Sequence, residues 1–204
     1  MQEPQRIRLS KSLSSILRHR AEKMNVPILS SGFIKVSDIL SLRNFAGVTT
    51  ANIIEVVENC PKQRFELKTM DGSIYIRATQ GHTIKSIEEA ELLIPIVDPS
   101  EVPVCVHATY NRFLQIILRE GLCRMGRNHI HMVPWSASIA AGGGRSGGVG
   151  GYRRDAEALI LIDTALAMAG GITFFRSSNG VILSPGLGPR GLLSPDYFRE
   201  VRLL

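Results

Sequence analysis

No stretch of this 204-residue chain approaches the roughly 18 consecutive apolar residues that a bilayer-spanning helix needs, and residues 1–8 lack the apolar core of a secretory leader. A soluble, intracellular protein, cytoplasmic and/or nuclear, with no membrane partner is therefore expected. Cysteine is scarce: Cys60, Cys105 and Cys123 are odd in number and lack CxxC spacing, so neither a disulfide framework nor a zinc module is implied, and a reducing compartment fits. Residues 141–151 hold seven glycines around Arg145, a composition that favours a mobile loop. They lack the Gly-Lys-Ser/Thr ending of a phosphate-binding P-loop, and no internal repeat is present.

Cations are in excess. Lys+Arg number 24 against 18 Asp+Glu, a net charge of +6, which tilts the reading towards a polyanionic partner such as RNA or DNA. Three basic islands stand out: Arg18-His19 after Leu9-Ser10-Lys11-Ser12-Leu13-Ser14-Ser15-Ile16-Leu17, then Lys62-Gln63-Arg64-Phe65, then Met125-Gly126-Arg127-Asn128-His129-Ile130-His131. Guanidinium groups stay charged and pair bidentately with phosphate, and an imidazole binds an anion or moves a proton near neutral pH. Each island has a plain alternative. Arg18 and His19 near a helix end can simply complement the macrodipole, for about 0.3–1 kcal/mol, and Arg64 can sit on a solvated face. His129 and His131 share one side of an extended segment, but a metal needs a third and usually a fourth ligand, and Cys123 offers no recognised spacing, so no metal is assigned.

With 44% hydrophobic residues the chain can build two small cores. Leu9, Leu13, Ile16 and Leu17 mark a short helix that Ser10 can cap. Residues 33–42 read as a strand passing into a helix, and Thr49 or Thr50 caps another helix with Ile53, Ile54, Val56 and Val57 as its buried stripe. Residues 64–67 and 73–78 around Asp71-Gly72 form a hairpin. Helices followed by a hairpin suggest a winged-helix unit over 1–94. Prolines 95, 99 and 103 suggest a linker at 95–103. Beyond it lie strands at 104–107, 130–133, 158–162 and 181–183, and a helix at 111–120 with Phe113, Leu114, Ile117 and Leu118 inward and Gly121 as its stop.

Taken in order with Ile76-Arg77-Ala78-Thr79-Gln80-Gly81-His82, His107-Ala108-Thr109 and Phe174-Phe175-Arg176-Ser177-Ser178-Asn179-Gly180-Val181-Ile182-Leu183-Ser184, these islands resemble the RNA 2'-phosphotransferase, Tpt1 / KptA family from about residue 9 to 204. The resemblance implies an α+β protein of two lobes. One is an N-terminal winged-helix-like RNA-binding lobe (1–94), the other a C-terminal ADP-ribosyltransferase-like mixed β lobe (104–204), with RNA phosphate and NAD meeting in the cleft between them. It implies an essential set at Arg18, His19, Arg64 and Arg127, and an NAD-holding set at His107, Ala108, Thr109 and His131. Two departures stand out: Ala108 replaces the family's usual glycine, adding a methyl where backbone can approach NAD, and His131-Met132-Val133-Pro134 differs from the usual His-Leu-Ser/Ala-Pro.

The implied reaction moves an internal RNA 2'-phosphate, as at a tRNA splice junction, to NAD, a co-substrate that is consumed. An ADP-ribosylated RNA intermediate leads to 2'-hydroxyl RNA, ADP-ribose 1'',2''-cyclic phosphate and nicotinamide. The expected partners are 2'-phosphorylated RNA, above all tRNA, and NAD, with the chain acting as a monomer. Val181 stands where many ADP-ribosyltransferases carry a glutamate, consistent with a nucleophile that is already anionic. The rivals are a noncatalytic winged-helix nucleic-acid-binding protein, and an ADP-ribosyltransferase acting on protein or on nucleic-acid terminal phosphates.

Overall fold

The structure is a computed structural model that describes residues 1–88, 91–136, 153 and 155–204. The glycine-rich stretch 141–151 lies outside them. The chain is a mixed α+β protein in two compact units, Met1–Leu92 and Leu93–Leu204. Among the described residues no helix is long and apolar enough to cross a membrane.

In the first unit, helix α1 (Glu3–Ser15) runs directly into one turn of π-helix, Ile16–Arg20. Ser10 lies inside α1 and does not cap it; the helix begins seven residues earlier, where Gln5 Oε1 accepts the Gln2 backbone N–H at 3.2 Å and Pro4 occupies the first turn. An amide in the first turn is unpaired anyway, so proline there initiates the helix at no hydrogen-bonding cost. The apolar spacing at Leu9, Leu13, Ile16 and Leu17 gives one buried face.

Strand β1 (Ile34–Lys35) passes straight into α2 (Val36–Leu40), and Thr49 caps α3 (Thr50–Glu58) by accepting Asn52 N–H at 3.3 Å. Of the stripe expected on α3, Ile53 and Val56 are buried, whereas Ile54 and Val57 are partly covered. Strands β2 (Phe65–Met70) and β3 (Ser73–Ala78) pair in register from Phe65↔Ala78 to Met70↔Ser73, and β1 joins as the third strand in the order β1-β3-β2. Leu13, Leu17, Ile34, Ile39, Ile53 and Ile76 fill the space between helices and sheet.

The second unit begins at Leu93, before the segment read as a linker, and includes that segment: β4 (Leu93–Ile96) pairs with β9 (Phe174–Ser177), and Ile96 and Val102 are core residues. Prolines punctuate this stretch but do not free it, because Pro95 sits on the last strand of the sheet, where a missing N–H is tolerated. The remaining elements are β5 (Val104–Thr109), α4 (Asn111–Glu120), β6 (Leu122–Cys123), β7 (Ile130–Pro134), β8 (Ala158–Asp163), α5 (Thr164–Ala169), β10 (Ile182–Ser184), β11 (Leu192–Leu193) and β12 (Phe198–Leu203). Among the described residues seven strands make one antiparallel sheet, in the order β12-β8-β5-β7-β10-β9-β4.

Along β5 and β8 alternate residues enter different apolar clusters, Cys105, Ile160 and Ile162 in one, Val106, Leu159 and Leu161 in the other. That two-sided burial explains why these strands read as continuous apolar runs. Helix α4 corrects one expectation: Leu114 and Ile117 pack on the core, but Phe113 and Leu118 are 44% and 41% exposed. Among the described residues a narrow stripe of this helix meets the unit.

Gly121 ends α4 at φ +92°, and a Cβ there would stand 2.4 Å from the Leu193 carbonyl oxygen. Gly121→Ala is expected to cost at least about 1–3 kcal/mol from backbone strain alone, with the clash added. Urea unfolding measures it, and a midpoint unchanged from wild type would contradict this account of the turn.

Candidate active site

Two of the three basic islands lie in the first unit, and local backbone geometry aims each. The π turn closes an Ala21 N–H to Ile16 carbonyl bond at 3.1 Å, one residue wider than an α-helical turn. Such a turn rotates the residues it carries relative to the helix before it, and π turns concentrate at functional sites. Arg18 and His19 ride on it. The Arg18 carbonyl accepts from both Thr83 N–H (2.9 Å) and Thr83 Oγ1 (3.3 Å), which ties the turn to the segment after β3. Thr83 Oγ1 also lies within hydrogen-bonding distance of His19 Nδ1, at 3.1 Å, so one threonine holds both residues of the turn.

Arg64 follows Gln63, which sits at φ +44°, a left-handed conformation unusual for a side-chain-bearing residue. Its carbonyl accepts Thr79 N–H at 3.0 Å, and its Nη1 reaches Cys60 Sγ at 3.5 Å. His19, Cys60 and Arg64 line one cavity of about 570 Å³, whose other wall is a face of α1. Arg77, from the motif between Ile76 and His82, has a different role: it ion-pairs with Glu66 at 2.9 Å, donates to the Ser31 carbonyl at 3.1 Å and stacks over Phe33.

In the second unit His107, on β5, donates Nδ1–H to the His131 carbonyl at 2.9 Å, which fixes the tautomer with Nε2 as acceptor. Arg127 Nη1 lies 3.4 Å from His131 Nδ1. A guanidinium only donates, so Nδ1 is the acceptor there. Burial pulls the His107 imidazole below the ordinary histidine range; the His131 carbonyl opposes this, and the charges of Arg153 and Arg127 add to the depression. Arg127 is itself lowered by burial and then by Arg153, yet a guanidinium remains protonated at any physiological pH. Arg127, Arg153, His107 and His131 thus form one electropositive group. Arg153 is held over the Tyr110 ring, 5.2 Å from its centroid, while Tyr110 donates to Asp155 at 2.6 Å.

The other residues singled out by sequence are packed into the second unit. Ala108 is buried, and its methyl belongs to the apolar cluster of Val106, Val133, Leu159 and Leu161, so the atom absent from a glycine is absorbed by the core. Thr109 is buried and its carbonyl accepts Glu157 N–H at 2.9 Å. His129 is buried edge-on to Phe175, with ring centroids 6.1 Å apart. Val181 is fully buried. The Cys105 thiol is pushed up to about 12 by burial, which rules it out as a nucleophile at neutral pH. Thr83, Cys60, Tyr110 and Arg153 were not legible as site residues. Arg153, just past the glycine-rich stretch, carried no signal beyond its charge.

His107 carries a pH dependence of known sign. Below about pH 6.5 the unfolded chain binds a proton at this ring more readily than the folded chain does. Its contribution to stability is therefore complete above about pH 6.5 and is lost as pH falls towards the folded value. Melting temperature plotted against pH should fall less steeply below that point for His107→Asn than for wild type, and parallel curves would contradict the burial argument.

Comparison with known proteins defines the class first: over residues 4–186 the chain matches a family of phosphotransferases. It belongs to the RNA 2'-phosphotransferase, Tpt1 / KptA family. The chain is 40% identical over 197 residues to tRNA 2'-phosphotransferase 1 of Homo sapiens, which covers 95% of this chain and 74% of that protein. It is 34% identical over 188 residues to tRNA 2'-phosphotransferase of Saccharomyces cerevisiae, covering 89% and 79% respectively. A Schizosaccharomyces pombe relative, 39% identical over 195 residues, is longer, and the chain spans about half (51%) of its length.

Proposed function

We propose that this chain removes the internal 2'-phosphate of tRNA and related RNA and transfers it to NAD, leaving a 2'-hydroxyl. The observation that carries the reading is the cavity of the first unit, where Arg64 and His19 come together, in a chain that matches the family over residues 4–186. On this reading the first unit is a winged-helix-like RNA-binding lobe and the second an ADP-ribosyltransferase-like lobe.

Arg18 and Arg64 grip the 2'-phosphate. A phosphomonoester carries about −1.5 to −2 charge near neutral pH, whereas each backbone diester carries one, so a guanidinium favours the modified nucleotide over its neighbours. His19 stands beside them as a ligand, or as the imidazolium gives a proton to the departing ribose oxygen. The donor set of the second unit fits NAD: a fixed His107 acceptor for a ribose hydroxyl and the Arg153 guanidinium for a diphosphate. His107, Thr109 and the Ala108 backbone hold it, with His131 on the nicotinamide side. NAD supplies an anomeric carbon whose leaving group departs neutral, so that exchange needs no general acid, and positioning dominates. In the second exchange charge builds on phosphoryl oxygens, and Arg127 stabilises it.

The test is incubation with an oligoribonucleotide bearing one internal 2'-phosphate, with and without NAD, followed by mass analysis of the RNA and assay of free nicotinamide. Loss of one phosphate from the RNA, dependent on NAD and matched by nicotinamide release, is expected. Salt-dependent binding without turnover would instead identify a noncatalytic RNA-binding protein, and a stable ADP-ribosylated product a transferase of a different kind.

A further inference from the structure

The cavity that holds His19 and Arg64 extends well past them. Its wall along α1 and the π turn that follows is built from two neighbouring rows, Arg6, Ser10 and Ser14 in one and Lys11, Ser15 and His19 in the other, each with four-residue spacing. Side chains four apart stack on one helix face, so these residues form a continuous track ending at His19. At about 1.5 Å per residue, Lys11 lies roughly 12 Å and Arg6 roughly 20 Å from His19 along the helix. Neither the Arg6 guanidinium nor the Lys11 ammonium has a hydrogen bond or ion pair among the described residues, and Glu3, at the far end, is the one carboxylate in the lining. Cations left without partners beside a row of hydroxyls are what a chain of phosphodiesters recognises.

We propose that this track binds the RNA strand flanking the 2'-phosphorylated nucleotide, with Arg6 and Lys11 each contacting a backbone phosphate and the serines donating to neighbouring phosphate or ribose oxygens. The proposal rests on the reading that His19 and Arg64 hold the 2'-phosphate. At about 3.4 Å of rise per stacked nucleotide the track accommodates three to six nucleotides on one side of the modification. It offers charge and hydroxyls with no aromatic platform in the lining, so it selects for length over base identity.

The experiment is equilibrium binding by the full chain without NAD, measured by competition against a fluorescent oligoribonucleotide across a salt series. The competitors are a dinucleotide with one 2'-phosphate, the same junction extended by six nucleotides on either side in turn, and the 2'-hydroxyl counterparts. The variants are R6Q/K11Q and, as a control of equal charge, R43Q/K68Q, whose residues are exposed and outside the cavity. Glutamine is close to arginine and lysine in helix propensity, and matching melting curves verify the fold.

Extension on one side should tighten wild-type binding about tenfold or more, and R6Q/K11Q should abolish that gain while lowering the salt slope by about 1.4, the value for two single-strand phosphates. The control pair should keep both. Retention of the gain and slope by R6Q/K11Q, or an equal loss in the control, would overturn the track while leaving the 2'-phosphate site intact. Equal wild-type affinity for 2'-phosphate and 2'-hydroxyl RNA is a separate signature: it removes the underlying reading, and the track with it.

Discussion

Replacing Arg64 with glutamine should lower kcat/KM on 2'-phosphorylated RNA by roughly a hundred- to a thousandfold, the usual effect of deleting one preorganised donor from a site of developing charge. Melting temperature should barely move. The guanidinium faces a cavity and its one described side-chain contact is the weak acceptor Cys60 Sγ, so little folding energy depends on it. Arg77 supplies the contrast within the same unit. Its guanidinium holds Glu66, the Ser31 carbonyl and the face of Phe33 together, and Arg77→Gln leaves those acceptors short, for about 1–3 kcal/mol. Steady-state kinetics and thermal melts on both variants separate the two arginines. An Arg64 variant that melts early but turns over normally would reverse the assignment.

Arg127→Ala should divide the two exchanges of the reaction. The side chain lies 3.4 Å from His131 Nδ1 and shares its surroundings with His107 and Arg153, so it belongs to the second unit's electropositive group. In the exchange at the anomeric carbon a neutral leaving group departs and little anionic charge develops, so this guanidinium contributes mainly by positioning. In the exchange at phosphorus, negative charge accumulates on the transferred group, and losing the donor should slow that step by roughly a further hundredfold. Single-turnover reactions resolved by mass should therefore show adduct RNA building up in the variant. An unchanged ratio of the two rates would contradict the role given to Arg127.

The apolar pattern made much of the fold legible. Four-residue spacing through Leu9, Leu13 and Leu17 marks α1, Asp71-Gly72 marks the hairpin turn, and Gly121 marks the end of α4. It misplaced the start of α1 because polar residues of an exposed first turn leave no periodic trace, and a cap made by Gln2 and Gln5 is a weaker sequence signal than a serine. It read 95–103 as a linker because proline content does not distinguish an outer strand from a tether.

The site was legible as residue types but not as geometry. Nothing in the run Ile16-Leu17-Arg18-His19-Arg20 signals a π turn, and the Thr83 that bonds to the Arg18 carbonyl is far away in sequence. Thr83, which holds the Arg18 carbonyl and His19 Nδ1, is one of many threonines until the chain folds. Arg77 shows the converse: it lies in a motif that carries the family resemblance, and its partners reveal a structural role.

The most direct measurement follows the phosphorus atom. An oligoribonucleotide carrying a radiolabelled internal 2'-phosphate, incubated with the chain and NAD, should surrender its label to ADP-ribose 1'',2''-cyclic phosphate, and no label should leave the RNA when NAD is omitted. Label appearing as inorganic phosphate, or released without NAD, would contradict the account.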